Sequence, residues 1–222
     1  MFFSNDQTSQ IDDSIRRLHQ RTGVALTTVV AARCDAYPEL AWKAFAATIV
    51  LNGLLQLFQI LFPPARLSPW NVSQTIGFII GTSAAVALLT IFWPSFGRLF
   101  LNRRRAQAKI DQSAQTLFLK RELFQRPERN ALLLVIGLFE GQAAFLADRG
   151  IVSRLTPTVL EPVVGKMRPL LRRQEYFEAL SQGLAVLESV LLEAGFDSAA
   201  DASPLPGVGL IQLKNSDWRS QD

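Results

Sequence analysis

Two stretches break the alternation of apolar and polar positions that runs through the rest of the chain. The first is Ala44 to Phe62, AFAATIVLNGLLQLFQILF, and the second is Thr75 to Trp93. Each has about the length a helix needs to cross ~30 Å of hydrocarbon. Pro63 and Pro64 follow the first run and Pro94 follows the second. Proline lacks a backbone N–H and ends a helix. Arg66, Ser68, Pro69, Asn71 and Ser73 between the runs predict a polar turn. Trp70 and Trp93 fall where indole rings favour a lipid–water boundary.

Outside these runs the period changes. Ile11, Ile15 and Leu18 share one face and predict an amphipathic helix over Ile11–Gln20. Asp12 and Asp13 are expected near its positive N-terminal end. Val24 to Ala32, VALTTVVAA, reads as a buried strand. Arg104 to Gln125 has a helical stripe of Ile110, Ala114, Leu117, Phe118 and Phe124, closed by a turn at Arg126–Arg129. Ala131–Leu138 and Gln142–Ala147, joined at Glu140-Gly141, predict a β-hairpin. Asp148-Arg149-Gly150 breaks it. A helix begins at Thr156-Pro157, and Pro169 separates it from a longer one over Gln174–Ala194, stopped by Gly195. The tail from Asp197 holds one short apolar piece, Val208–Leu213.

This order predicts an α/β fold: a small sheet with flanking helices, interrupted by a two-helix transmembrane hairpin. Neither half has enough strands to make a sheet alone. The expected organisation is therefore 1–43 as the first part of a split domain, 44–97 as the hairpin, 98–195 as its remainder and 196–222 as a tail. Val24–Ala32 is expected to pair with Ala131–Leu138.

Composition sharpens this reading. Charged residues are 19% of the 222 and hydrophobic residues 49%; soluble domains carry about 25% charged residues. The deficit is local, because Ala44 to Gly97 holds no Asp, Glu or Lys and only Arg66. One cysteine and one histidine exclude a disulfide framework, a multi-thiolate zinc site and paired-histidine metal motifs. His19 reads as a solvated helix residue. The net charge of +4 is concentrated in Arg98, Arg103, Arg104, Arg105 and Lys109 after the second run. The positive-inside rule therefore expects both termini in the cytoplasm.

Within the spans, Asn52, Gln56 and Gln59 form a polar stripe at i, i+4 and i+7, and Gly77, Gly81 and Ala85 form a small-residue ladder on the second helix. Both predict helix packing within the membrane, across the hairpin or between protomers. A pore or transporter component is the competing reading of the amide stripe.

Several strings resemble the TPM domain family, which includes thylakoid-lumen phosphatase-like proteins, a photosystem II repair factor and bacterial two-span membrane proteins. They are Arg21-Thr22-Gly23 before the first strand, Arg33 to Pro38 after it, Pro127 to Asn130 before the second strand, Phe145 to Ile151, and Gly183-Leu184 in the last helix. Cys34 stands where relatives often carry Ser, and Asn130 where many carry Gly. The resemblance implies a protein of the bacterial inner membrane that acts as a binding, assembly or quality-control module. Its expected partners are the lipid bilayer, a membrane protein and a second copy of itself, with no nucleic acid. The alternative it implies is a metal-dependent phosphatase-like hydrolase. Asp35, Asp148, Arg149 and Gly150 near strand ends are the candidate functional surface, with Asp35 and Asp148 as ligands for Ca²⁺ or Mg²⁺.

Overall fold

The computed structural model describes all residues except 1, 36, 63–71, 124–128, 156, 198–207 and 214–222. The expected turn residues Arg66, Ser68, Pro69, Trp70 and Asn71 therefore lie outside the described residues, as do Phe124, Thr156 and most of the turn at 126–129. The chain divides into two compact units. One is 1–35 with 103–222; the other is 36–102.

In the first unit, α1 (Asn5–Thr22) opens six residues earlier than the apolar pattern indicates. The Gln7 side chain reaches back to accept from the Ser4 N–H at 3.1 Å, one half of a capping box that extends the helix over a polar turn. Asp12 and Asp13 thus fall in mid-helix rather than near its positive end. Gly23, at φ 68°, closes the helix and leads into β1 (Ala25–Ala31). The positive φ is the conformation for which glycine pays no Cβ penalty.

After the second unit come α5 (Arg103–Lys120), β2 (Ala131–Gly137) and β3 (Gln142–Ala147). Then follow a single turn, α6 (Arg149–Val152), and the helices α7 (Pro157–Arg172) and α8 (Tyr176–Glu193). Pro169 does not separate the last two helices. α7 runs through Pro162 and Pro169, and the break falls at Gln174, whose φ is 66°. The buried face of Leu160, Val163, Met167 and Leu171 outweighs the backbone bonds that the two prolines forfeit.

The short apolar piece of the tail is a strand. Gly209–Leu213 forms β4 and completes a sheet of order β3-β2-β1-β4. β1 is central. It pairs in parallel with β2, Ala25 opposite Ala131 through Ala31 opposite Gly137, and in parallel with β4 on its other side. β2 and β3 pair antiparallel. Alternate side chains feed two cores. Leu26, Val30, Leu132, Leu134 and Ile136 pack with Ile11, Ile15 and Leu18 of α1 and with α7 and α8. Val29, Leu133 and Val135 pack with Ile110, Ala114 and Leu117 of α5. The period-2 alternation of a sheet covered on both faces places these side chains. Each fully buried Leu or Ile contributes about 1.5–3 kcal/mol.

The second unit holds α2 (Glu39–Leu61), α3 (Val72–Phe92), a short α4 (Pro94–Gly97) and a 3₁₀ turn at Arg98–Phe100. Ser73 lies inside α3 rather than in the turn before it. Both long helices are apolar and long enough to cross a membrane. Many of their large side chains are mostly exposed: Trp42 is 72% exposed, Ile60 75% and Phe92 79%.

Hydrogen bonds join the two ends of the first unit. The Asp12 carboxylate accepts from the Leu210 N–H of the edge strand β4 at 2.8 Å. We expect Asp12→Ala to lower unfolding stability by about 1.5–3 kcal/mol, the range for a hydrogen bond to a charged group. Asp12→Asn, which keeps an acceptor, should lose less. Urea titration of the two variants checks this.

Candidate functional site

The candidate residues separate to opposite ends of the sheet. Asp35 follows the carboxyl end of β1, the end at which sites in α/β folds commonly form. Asp148 follows β3 at the other end, where its N–H donates to the Ala131 carbonyl at the start of β2. The length of β2 lies between them, roughly 20 Å at 3.3 Å per residue. One cation cannot span that distance, so the structure corrects the expectation of an Asp35–Asp148 metal pair. No group of three or more His, Cys, Asp or Glu side chains that could hold a metal occurs among the described residues.

At the carboxyl end, β1 runs out into Arg33, Cys34 and Asp35. The β2–β3 turn supplies Phe139 and Glu140 beside them. Backbone bonds from Leu138 and Phe139 N–H to the carbonyls of Ala31 and Ala32 hold this turn against the end of β1. Glu140 is buried and accepts from the Cys34 N–H at 2.9 Å. It folds over Gly137, where a Cβ would collide with its carboxylate and crowd the Cys34 sulfur. Lys109 of α5 pairs with Asp35 at 3.0 Å. The Arg33 guanidinium stacks 4.0 Å from the Phe139 ring centroid, a cation–π distance. Gln142, at the start of β3, accepts from Arg168 of α7 at 2.8 Å.

The surroundings of Cys34 disfavour its thiolate. Burial pushes its thiol pKa well up, the Glu140 carboxylate adds to the rise, and a hydrogen bond with the Ser113 side chain opposes it. The thiolate is the reactive form, and desolvation beside an anion disfavours it.

At the opposite end the Asp148-Arg149-Gly150 string is architectural. Asp148 is buried and its Oδ1 accepts from the Arg149 N–H at 2.7 Å, capping α6. Gly150 donates its N–H to the Arg129 carbonyl at 3.1 Å, and a Cβ on Gly150 would collide with that same oxygen. Arg149 is exposed. Asn130 reaches across to the Gly23 carbonyl at 2.6 Å. His19 is buried, not solvated, with Nδ1 3.1 Å from the Val24 carbonyl. It closes the turn from α1 into β1.

Within the second unit, the amides and the glycines lie on different faces. Asn52, Gln56 and Gln59 are half-buried along α2, and Asn52 donates to the Thr82 hydroxyl of α3 at 3.2 Å. Ser83 and Thr90 are the buried positions of α3. Gly77 and Gly81 are exposed with nothing within 4 Å of an added Cβ, and Ala85 is exposed as well. The small-residue ladder therefore does not form the α2–α3 seam.

Sequence reasoning passed over Glu140 and the buried role of His19. Glu140 stands beside Gly141 and reads as a turn residue; only the pairing of β1 with β2 carries it to Cys34. His19 stands in a polar run, and its burial follows from the approach of Val24.

Two comparisons place this geometry among known proteins. A family model described as TPM domain matches residues 98–190. The NMR structure of BA42 protein from the psychrophilic bacterium Bizionia argentinensis superposes with a TM-score of 0.53 at 9% identity, covering 96% of this chain and 97% of that one. At that identity the likeness is one of fold. No curated protein matches.

Two measurements check the assignments at the two ends. Alkylation of Cys34 in the native chain should stay slow from pH 7 to 9 and become fast only on unfolding, because a raised thiol pKa keeps it protonated there. Gly150→Ala should cost about 1–3 kcal/mol by forcing Arg129 aside, read as a lowered urea midpoint.

Proposed function

We propose that this chain, which carries a TPM domain over residues 98–190, is a membrane-anchored module that works through binding. In this reading the α2–α3 hairpin spans the bilayer and the α/β unit engages a membrane-protein partner during assembly or quality control. The observation that carries the anchor is the apolar surface of α2 and α3, many of whose large side chains are mostly exposed. At 1.5 Å per residue the two helices are about 35 and 32 Å long, enough for the hydrocarbon core. Arg103, Arg104 and Arg105 at the start of α5 favour an orientation with both termini in the cytoplasm of a bacterial inner membrane.

Binding is favoured over hydrolysis by the engagement of the reactive groups. Asp35 is held by Lys109, Asp148 caps α6, Glu140 is bonded to the Cys34 backbone and the Cys34 thiol is held protonated. Phosphoryl transfer needs a nucleophile or metal carboxylates together with cationic stabilisation. A metal-dependent phosphatase-like activity remains the alternative that the family implies.

Topology is tested by cysteine labelling in a Cys34→Ser background. A Ser68→Cys chain in intact cells should react with an impermeant maleimide, and a Gln107→Cys chain should react only after lysis. The reverse pattern would invert the orientation, and extraction of the chain by carbonate would remove the anchor. Purified chain should hydrolyse a generic phosphate ester no faster with Mg²⁺ or Ca²⁺ than without; a metal-dependent rate abolished by Asp148→Asn would restore the hydrolase reading.

A further inference from the structure

We propose that α2 carries an interface for a second copy of this chain, formed within the bilayer by Ala46, Ile49, Gly53, Gln56 and Ile60. The inference rests on the reading of the α2–α3 hairpin as a membrane anchor. These positions recur at alternating steps of three and four residues, the heptad period of a two-stranded coiled coil. Around the helix they fall within a sector of about 80°. Ala46, Ile49, Gly53 and Ile60 are exposed and Gln56 is half-buried.

The amide stripe of α2 divides in two. Asn52 donates to the Thr48 carbonyl at 3.0 Å and to the Thr82 hydroxyl at 3.2 Å, so its amide serves the hairpin. Gln56 lies about 40° around the helix from Asn52, on the side of Gly53. Its carboxamide makes no hydrogen bond among the described residues. Gln56 stands about 5 Å along the axis from the middle of the 44–62 run, where hydrocarbon offers neither donor nor acceptor. An amide at that depth finds its partner on another helix. A second copy supplies one at the matching depth. All copies insert in the same direction, so a two-fold axis along the bilayer normal sets equal residues opposite each other. Gln56 then faces Gln56, and a carboxamide holds both donors and an acceptor, so the pair is self-complementary. Gly53, one turn away, lets the two backbones approach: nothing lies within 4 Å of a Cβ added there. Gly77, Gly81 and Ala85 of α3 also permit close approach but offer no side-chain hydrogen bond, and the amide therefore decides for α2.

The test uses the full chain in a Cys34→Ser background, reconstituted into phosphatidylcholine vesicles. Oxidation with lipid-soluble copper phenanthroline should link the Ile49→Cys, Gly53→Cys and Ile60→Cys chains into dimers. Leu51→Cys, Leu54→Cys and Phe58→Cys, on the opposite side of α2, should stay monomeric on the same treatment. A second measurement follows energy transfer between chains labelled at Ser68→Cys as lipid dilutes them. Gln56→Leu should raise the dissociation constant of the dimer about five- to thirtyfold, the worth of one interhelical amide bond. Gln56→Asn, which keeps a carboxamide, should recover part of that loss. Gly77→Leu/Gly81→Leu should match the parent. Cross-linking that ignores the three–four period, a dissociation constant unchanged by Gln56→Leu, or a dimer lost in Gly77→Leu/Gly81→Leu would overturn the proposal. A chain that stays outside the bilayer refutes the anchor; one that inserts and remains monomeric refutes only this interface.

Discussion

The hydrogen bonds along the two edges of β1 are the constraint on which the α/β unit depends. Ala25–Ala31 is buried at every position, so its backbone groups cannot turn to water and must find partners in the chain. One set lies at Ala131–Gly137 and the other at Gly209–Leu213. Both are far along the sequence, and the α2–α3 hairpin intervenes before the first. Closing loops of this length carries an entropic cost that grows only slowly with length. The insertion of two helices between β1 and α5 is therefore thermodynamically tolerable, although such non-local parallel pairing is slow to form.

Once β1 is paired on both sides, the rest of the unit follows from alternation. Even-numbered side chains of β1 and β2 reach α1, α7 and α8, while odd-numbered ones reach α5. The edge strand β4 is tied by Asp12, and Phe2 N–H donates to Gln212 at 2.9 Å. The Asp12 bond gives one backbone N–H on the outer edge of β4 a partner.

The same pairing decides which polar residues meet. Parallel β1 and β2 bring Arg33, Cys34 and Asp35 beside Phe139 and Glu140, with Lys109 from α5 completing the group. The antiparallel turn into β3 carries Asp148 and Arg149 to the far end. A charged residue near a strand end is therefore no guide to its neighbours until the strand's direction is known. The groups that look reactive one by one are held in an ion pair, a helix cap and a bond to backbone. Arg103, Arg104 and Arg105 at the start of α5 are exposed.

The sequence by itself determined the properties that depend on near neighbours. The two uncharged runs, the amphipathic stripe Ile11-Ile15-Leu18, the β2–β3 hairpin and the stop at Gly195 are all set within a few residues by hydropathy, period and turn chemistry. The resemblance to the TPM domain was legible in the order of short strings. What only the tertiary structure decided depends on distant partners. β4 is a strand because β1 offers it an edge; five residues of modest apolarity do not specify one. α7 continues through Pro162 and Pro169 because its buried face overrides a local rule. Gly77 and Gly81 lie outside the α2–α3 seam because packing selected the hydroxyl and amide face instead. Asp35 and Asp148 part because sheet direction, a property of paired strands, sends them to opposite ends.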